Sequence, residues 1–216
     1  RVEFGNDVSE SCHARVGCFY KSLQENPIKG MVEAAPAFCT VMVYYDAFTI
    51  KYHKFVRELE KRLRTLEAGR QAEGRTVEIP VCYEGAFAPD MASVCEHTGL
   101  TPKEVIELHA GRDYLIYMLG FLPGFPYLGG MDERLEVPRL KSPRVRIEPG
   151  SVGIGGKQTG IYPLASPGGW QLIGRTPVIL YDPDRNPPVL YEAGDRIRFL
   201  PITAAEFSRM QKEAGK

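Results

Sequence analysis

The sequence predicts an α+β protein in two parts: a small N-terminal α/β sandwich module, then a β-rich domain built as a barrel or sandwich. Three observations carry this. Residues 1–66 hold two amphipathic helical stretches around two extended runs. The segment "EAGRQAEGR" at 67–75 is polar and broken by glycine, as linkers are. Beyond Asp113 the chain turns to many short β-runs separated by turn residues. The domain boundary is therefore drawn at 1–75 and 76–216.

In chain order, Asn6 or Asp7 caps a first helix on which Val8, Cys12, Val16, Phe19 and Leu23 recur at helical spacing. Asp7 and Glu10 have the spacing of a capping box. Extended stretches follow over 31–37 and 38–45. A second helix carries Tyr52, Phe55, Val56, Leu59, Leu63 and Leu66 on one stripe, opposite Arg and Lys. "TVEIPVCY" at 76–83 opens the second part as a strand. One short helix ends at Gly99. Another opens at "TPKE", where Thr101 caps, Pro102 takes the first turn and Glu104 closes the box. "YLIYML", "VRI", "GIYPL", "WQLIG", "VILY", "VLY" and "RIRFLP" read as strands, and a last helix starts at Thr203 with Glu206 in capping position.

Lys plus Arg and Asp plus Glu are 27 each, so no net field recruits nucleic acid or an anionic membrane. No apolar run reaches the ~20 residues that span a bilayer. The chain begins with "RVEFG", which looks like the end of a strand, so a few residues are expected before it. Cys12, Cys18, Cys39, Cys82 and Cys95 are odd in number, scattered and without a C-x-x-C pair. That spacing predicts neither a zinc site nor a redox motif, and it suits thiols in a reducing, cytoplasmic setting.

Eleven of the 22 glycines fall between Gly120 and Gly169. "GFLPGFPYLGG" (120–130) is too broken for a helix and too poor in β-branched residues for an ordinary strand, so it predicts a shaped apolar loop. "GIGGKQTG" (153–160) fails as a P-loop, because Ser151 stands where the first glycine belongs and Gln158 follows the lysine. It remains either a ligand loop or a glycine-rich barrel turn. As a ligand loop, Gly153, Gly155 and Gly156 would aim N–H groups at an anion beside Lys157, with Gln158 and Thr159 as hydrogen-bonding groups. His109 ends a helix, where the dipole favours it, or it moves a proton beside the aromatic loop. His13 and His53 read as surface or interface residues, and His97 as a helix-end histidine. Asp132, Glu133 and Glu136 read as a solvated turn. Arg139, Arg144 and Arg146 either clamp a carboxylate or phosphate or form the outward face of a strand. Trp170 reads as a core anchor.

Together, "GFLPGFPYLGG", "PR…SPR", "GSVGIGGKQTGIYP" and "SPGGWQLIGRTP" resemble the family of 5-oxoprolinase B subunits, also called the KipI or allophanate hydrolase subunit 1 family. The resemblance covers nearly the whole chain, densely over 76–201. It implies a cyclophilin-like β-barrel after the N-terminal domain. It also implies partners: a homologous barrel protein (the 5-oxoprolinase C subunit) and a third component (the 5-oxoprolinase A subunit). Such complexes open 5-oxo-L-proline to L-glutamate with ATP, and Mg2+ accompanies the ATP as co-substrate; no tightly bound cofactor is expected. Other branches imply inhibition of a histidine kinase or a place in urea carboxylase-type carboxyltransferases. His109, Gln158, Thr159, Tyr162, Pro163 and Ser166–Trp170 lie on family motifs. "IEPGSV" departs from them by the position of its proline. The expectation is that His109, Lys157 and Gln158 are catalytic and that Gly153, Gly155, Gly156, Thr159, Tyr162 and Arg139 bind substrate or nucleotide. Phe121, Phe125 and Tyr127 would anchor the partner protein at the barrel mouth.

Overall fold

In the computed structural model, which describes residues 1–6, 9–66 and 74–214, the chain divides into two units, 1–73 and 74–216. The first opens with strand β1 (Val2–Glu3) and helix α1 (Glu10–Glu25). Ser9, not Asn6, caps α1, its hydroxyl accepting the Cys12 N–H at 3.3 Å. Asp7 and Val8, and with them the expected capping box, lie outside the described residues. Cys12, Val16, Phe19 and Leu23 are buried as their spacing requires. His13 is buried too, one position round on the same face, which corrects its reading as a surface or interface residue.

Strands β2 (Met31–Pro36) and β3 (Thr40–Tyr45) complete an antiparallel sheet of order β1–β3–β2. Helix α2 (Tyr52–Thr65) adds Phe55 and Leu59 to the core beneath it. Tyr52, expected on that stripe, stands exposed in the first turn. Arg62 of α2 donates to the Ser22 and Asn26 carbonyls and so satisfies the C-terminal end of α1.

The second unit contains strands β4 (Thr76–Cys82), β5 (Asp113–Leu119), β6 (Pro126–Gly129), β7 (Arg144–Ile147), β8 (Ser151–Gly155), β9 (Gln158–Ile161), β10 (Ser166–Gly168), β11 (Gln171–Arg175) and β12 (Arg196–Ile202). Helices α3 (Met91–Thr98) and α4 (Pro102–Ala110) follow β4, and α5 (Ala204–Ala214) follows β12. Thr101 and Glu104 form the expected capping box, and Gly99 ends α3 in the left-handed conformation. Seven strands close into a barrel in the order β11–β4–β12–β5–β6–β9–β8, with β4 and β12 parallel. The chain is thus the expected mixture of helices and sheet, with a closed barrel. Ile79, Val81, Ile116, Leu128, Ile154 and Ile161 pack in the barrel's core, so its interior is filled by side chains.

Two expectations fail for reasons visible in the residues. "VILY" and "VLY" form no strands; Tyr181 and Val189 make a single bridge. Pro177, Pro183, Pro187 and Pro188 lack the N–H a ladder needs. Arg185 holds the segment instead, donating to the carbonyls of Ile179, Leu180, Pro187 and Pro188. Conversely, β6 and β8 arise inside the two glycine-rich segments that read as loops. There a tertiary demand, close approach of large rings to the backbone, overrides β-propensity.

The six-residue connection between β5 and β6 is tightly built. Leu122 N–H donates to Gly120 O at 2.8 Å, a γ-turn centred on Phe121 at φ 67°, a strained geometry for a bulky residue. Phe121 is the one non-glycine residue with positive φ among those described. Pro123 and Gly124 (φ 76°) then make a type II turn closed by Phe125 N–H to Leu122 O at 3.0 Å. Tyr191 pins the loop through a 2.8 Å bond to Gly124 O.

Candidate functional site

The β8–β9 hairpin carries most of the residues expected to act. Its register pairs Gly153 with Gly160, Ile154 with Thr159, and Gly155 with Gln158. Paired residues face the same side and neighbours alternate, so Gln158 and Thr159 point opposite ways. They cannot orient one ligand together. Thr159 faces the barrel interior with Ile154; Gln158 shares the outer face with Gly153, Gly155 and Gly160.

That outer face is roofed by Trp170. A Cβ at Gly155 would lie 2.6 Å from the indole, and one at Gly153 3.2 Å from Trp170 Cβ. At Gly160 it would meet the Pro126 carbonyl at 3.0 Å, with Phe125 and Trp170 ring carbons at 3.1 Å. These glycines therefore make room for aromatic rings. Gly153 and Gly155 are buried ladder residues, a setting other than the open anion loop expected of them. Gly156 (φ 63°) and Lys157 form the two-residue hairpin turn, where glycine supplies the positive φ. Lys157 sits at this exposed tip, 3.8 Å from Glu136, an ion pair too solvated to contribute much.

Phe125 is the hub of the outer cluster. Its ring makes edge contacts with Phe121 at 5.6 Å, Tyr127 at 5.1 Å, Tyr162 at 5.3 Å and Trp170 at 5.6 Å. At 2% exposure it is a core residue and not an interface anchor; Tyr127 is half-buried, and Phe121 alone of the three stands out at 61%. The two glycine-dense segments do converge, but on the outer wall of β6, β9 and β8, not at a barrel mouth.

Cations border this wall. Arg139 lies 5.8 Å over the Trp170 ring, exposed. Gly156 N–H donates to Val137 O at 2.8 Å, which brings the 137–139 segment alongside the hairpin tip. Arg144 reaches Asp90 at 2.6 Å and the Trp170 carbonyl at 3.5 Å. Asp90 is itself buried and accepts the Leu172 N–H at 2.6 Å, so Arg144 is held from behind. Burial raises the Tyr162 phenol above its ordinary value, while the Arg139 charge, the Trp170 N–H and the Arg144 charge pull the other way. Arg146 pairs outward with Glu148. Asp132, held low by Arg134 and Arg112, belongs to a surface turn.

His109 is not at this surface. It is fully buried inside the barrel, stacked on Phe199 at 4.5 Å. Tyr83 lies 2.8 Å from Nδ1 and Thr159 Oγ1 2.8 Å from Nε2. Burial pushes its pKa down to about 3. An enclosed neutral imidazole with both nitrogens engaged does not fit the proton-transfer role expected of it. No motif in the sequence points to Tyr83, and only barrel closure brings it to His109. Among the described residues no group of three or more His, Cys, Asp and Glu could hold a metal ion. The outer wall is thus a buried aromatic cluster bordered by Gln158 and by the exposed cations Arg139 and Lys157.

The family model for the carboxyltransferase domain, subdomains C and D, matches residues 1–191. The chain is 41% identical to the 5-oxoprolinase B subunit of Bacillus subtilis over 99% of its own length and 93% of the relative's. It is 55% identical to the 5-oxoprolinase B subunit of Escherichia coli O157:H7 over 61% of this chain and 60% of that one. The crystal structure of TTHA0988 superposes with a TM-score of 0.82 at 38% identity, covering 94% of this chain. This chain spans only 39% of that longer polypeptide. On these matches and the motifs that carry them, the chain belongs to the family of 5-oxoprolinase B subunits, built on carboxyltransferase subdomains C and D.

Proposed function

We propose that this chain is one component of a cytoplasmic ATP-dependent 5-oxoprolinase, opening 5-oxo-L-proline to L-glutamate together with A-type and C-type subunits. The observation that carries the reading is the near full-length identity with the Bacillus subtilis B-type protein. The aromatic wall fits a part in it. The substrate is a small flat ring bearing a carboxylate and a lactam. Arg139, with Arg144 behind it, suits the carboxylate, and Gln158 on the same face suits the lactam as donor or acceptor. Lys157 at the hairpin tip supports negative charge that develops when the amide opens. ATP supplies the activation of the resonance-stabilised lactam. The glycine segment is committed to the ladder, so the ATP phosphates and their Mg2+ are assigned to another member of the complex. A second reading, a carboxyltransferase part of the urea carboxylase kind, has the family model's own description in its favour.

The test is ATP hydrolysis stimulated by 5-oxoproline when the chain is combined with A- and C-type subunits. Lys157→Ala is expected to lower turnover by about tenfold or more with the unfolding midpoint unchanged. Normal turnover in that variant removes Lys157 from the site.

Phe121 is the partner contact in this reading, a large aromatic held outward by a strained turn. Phe121→Ala is expected to weaken association with the C-type partner by about tenfold or more while stability stays within about 0.5 kcal/mol. Titration calorimetry beside denaturant unfolding checks both, and an unchanged affinity places the interface elsewhere.

A further inference from the structure

The hydrogen bonds around His109 have a determined direction. Thr159 Oγ1 lies 3.0 Å from the Gly153 carbonyl, which can only accept, so the threonine proton is spent there. The same oxygen must then accept from His109, which puts the imidazole proton on Nε2. Nδ1 is left bare and accepts from the Tyr83 hydroxyl. The result is a one-way chain, from Tyr83 O–H to His109 Nδ1, from His109 Nε2–H to Thr159 Oγ1, and from Thr159 O–H to Gly153 O. It joins the end of β4, the end of α4 and both strands of the β8–β9 hairpin. The imidazole is also packed by Tyr114 at 5.6 Å and Phe199 at 4.5 Å. Tyr114 O–H donates to the His109 carbonyl at 2.8 Å, fixing the backbone of the same residue.

We propose that Tyr83 and His109 are positioning residues: they set the Thr159 hydroxyl and so hold the β8–β9 hairpin in the register that presents Gln158 and Lys157 on the outer wall. Thr159 is the only one of the three next to a residue assigned to the substrate. The interior face of the strand fixes its twist, and the exterior face carries the chemistry. The imidazole moves no proton in this arrangement. Its single tautomer is the working state, because a flip would point two acceptors at each other across the Nε2–Thr159 contact.

The first measurement is on the full chain alone. With 15N-labelled histidine, His109 is expected to give one neutral form protonated at Nε2, unchanged between about pH 5.5 and 8.5. A proton on Nδ1, a mixture of tautomers, or titration in that range overturns the proposal. The second measurement rests on the functional reading above and uses the reconstituted complex. Thr159→Val, which keeps the shape and loses the hydroxyl, is expected to lower kcat/KM by about tenfold, and Thr159→Ser to restore most of it. His109→Gln keeps an N–H for Thr159 and is expected to keep the wild-type pH profile at reduced rate. A pH profile that loses a limb in His109→Gln, or a Thr159→Val complex as active as wild type, also overturns the proposal. A wild-type complex without oxoproline-dependent activity sinks the functional reading instead, and the tautomer still decides the positioning role.

Discussion

Gly155→Ala is expected to destabilise the barrel by about 3 kcal/mol, although it adds one methyl group to a residue with ordinary backbone angles. The added carbon would sit 2.6 Å from both Cδ1 and Nε1 of Trp170. The indole cannot retreat easily. Phe125 meets it edge-on, Gly160 backs another part of the ring, and Arg139 covers it from outside. The strand cannot yield either, because β8 is paired on both sides, to β9 and to β11. A double-mutant cycle in urea separates this cause from others. Trp170→Leu alone is expected to cost about 3 kcal/mol as a large-to-small change. Combined with Gly155→Ala, the total should fall short of the sum by at least about 1 kcal/mol, since the clash disappears with the ring. Strict additivity would show that glycine serves some purpose other than space. If the glycine were an anion cradle, the substitution would lose ligand and leave stability alone.

That contrast marks where the sequence is legible. Two helix starts are legible because capping is local: Thr101 with Glu104, and Thr203 with Glu206, form reciprocal bonds within four residues. The barrel strands rich in Val, Ile and aromatics were readable for the same reason, since alternation is a short-range signal. The glycine segments were not. A glycine that spares room for a distant tryptophan looks like one that cradles a phosphate, because both signals consist of a missing side chain. With glycines at 153, 155, 156 and 160, the alternation that would have split Gln158 from Thr159 is erased from the sequence. Tyr83, His109 and Thr159 lie 26 and 50 residues apart, so their alignment exists only once the barrel is closed. The family motifs mark these residues, but motif membership does not distinguish wall from core. Phe121 and Phe125 show this most plainly: four positions apart in one motif, one exposed and one buried.

The contribution of His109 to stability is expected to fall by about 2 kcal/mol between pH 7 and pH 5. In the unfolded chain the imidazole has its ordinary pKa of 6.5; in the barrel, burial lowers it to about 3. Between those values the unfolded state binds the proton and the folded state does not. The contribution is therefore intact above the unfolded pKa and is lost as pH falls below it, at about 1.4 kcal/mol per pH unit. The carboxylates lowered by their partners, Asp113 with Arg198, Glu104 with Thr101 and Glu148 with Arg146, start from ordinary values of 3.8 to 4.5. Their stabilisation is lost only in more acid solution, as pH falls through the carboxylate range. Urea midpoints of wild type and His109→Gln measured across this range isolate the histidine, because glutamine does not titrate. Wild type should drop steeply below about pH 6.5 while the variant, less stable at neutral pH, declines more gently, so that the two curves converge. Parallel curves would mean that the imidazole takes up its proton inside the barrel, and the enclosed, directed hydrogen-bond chain would then not describe the folded protein.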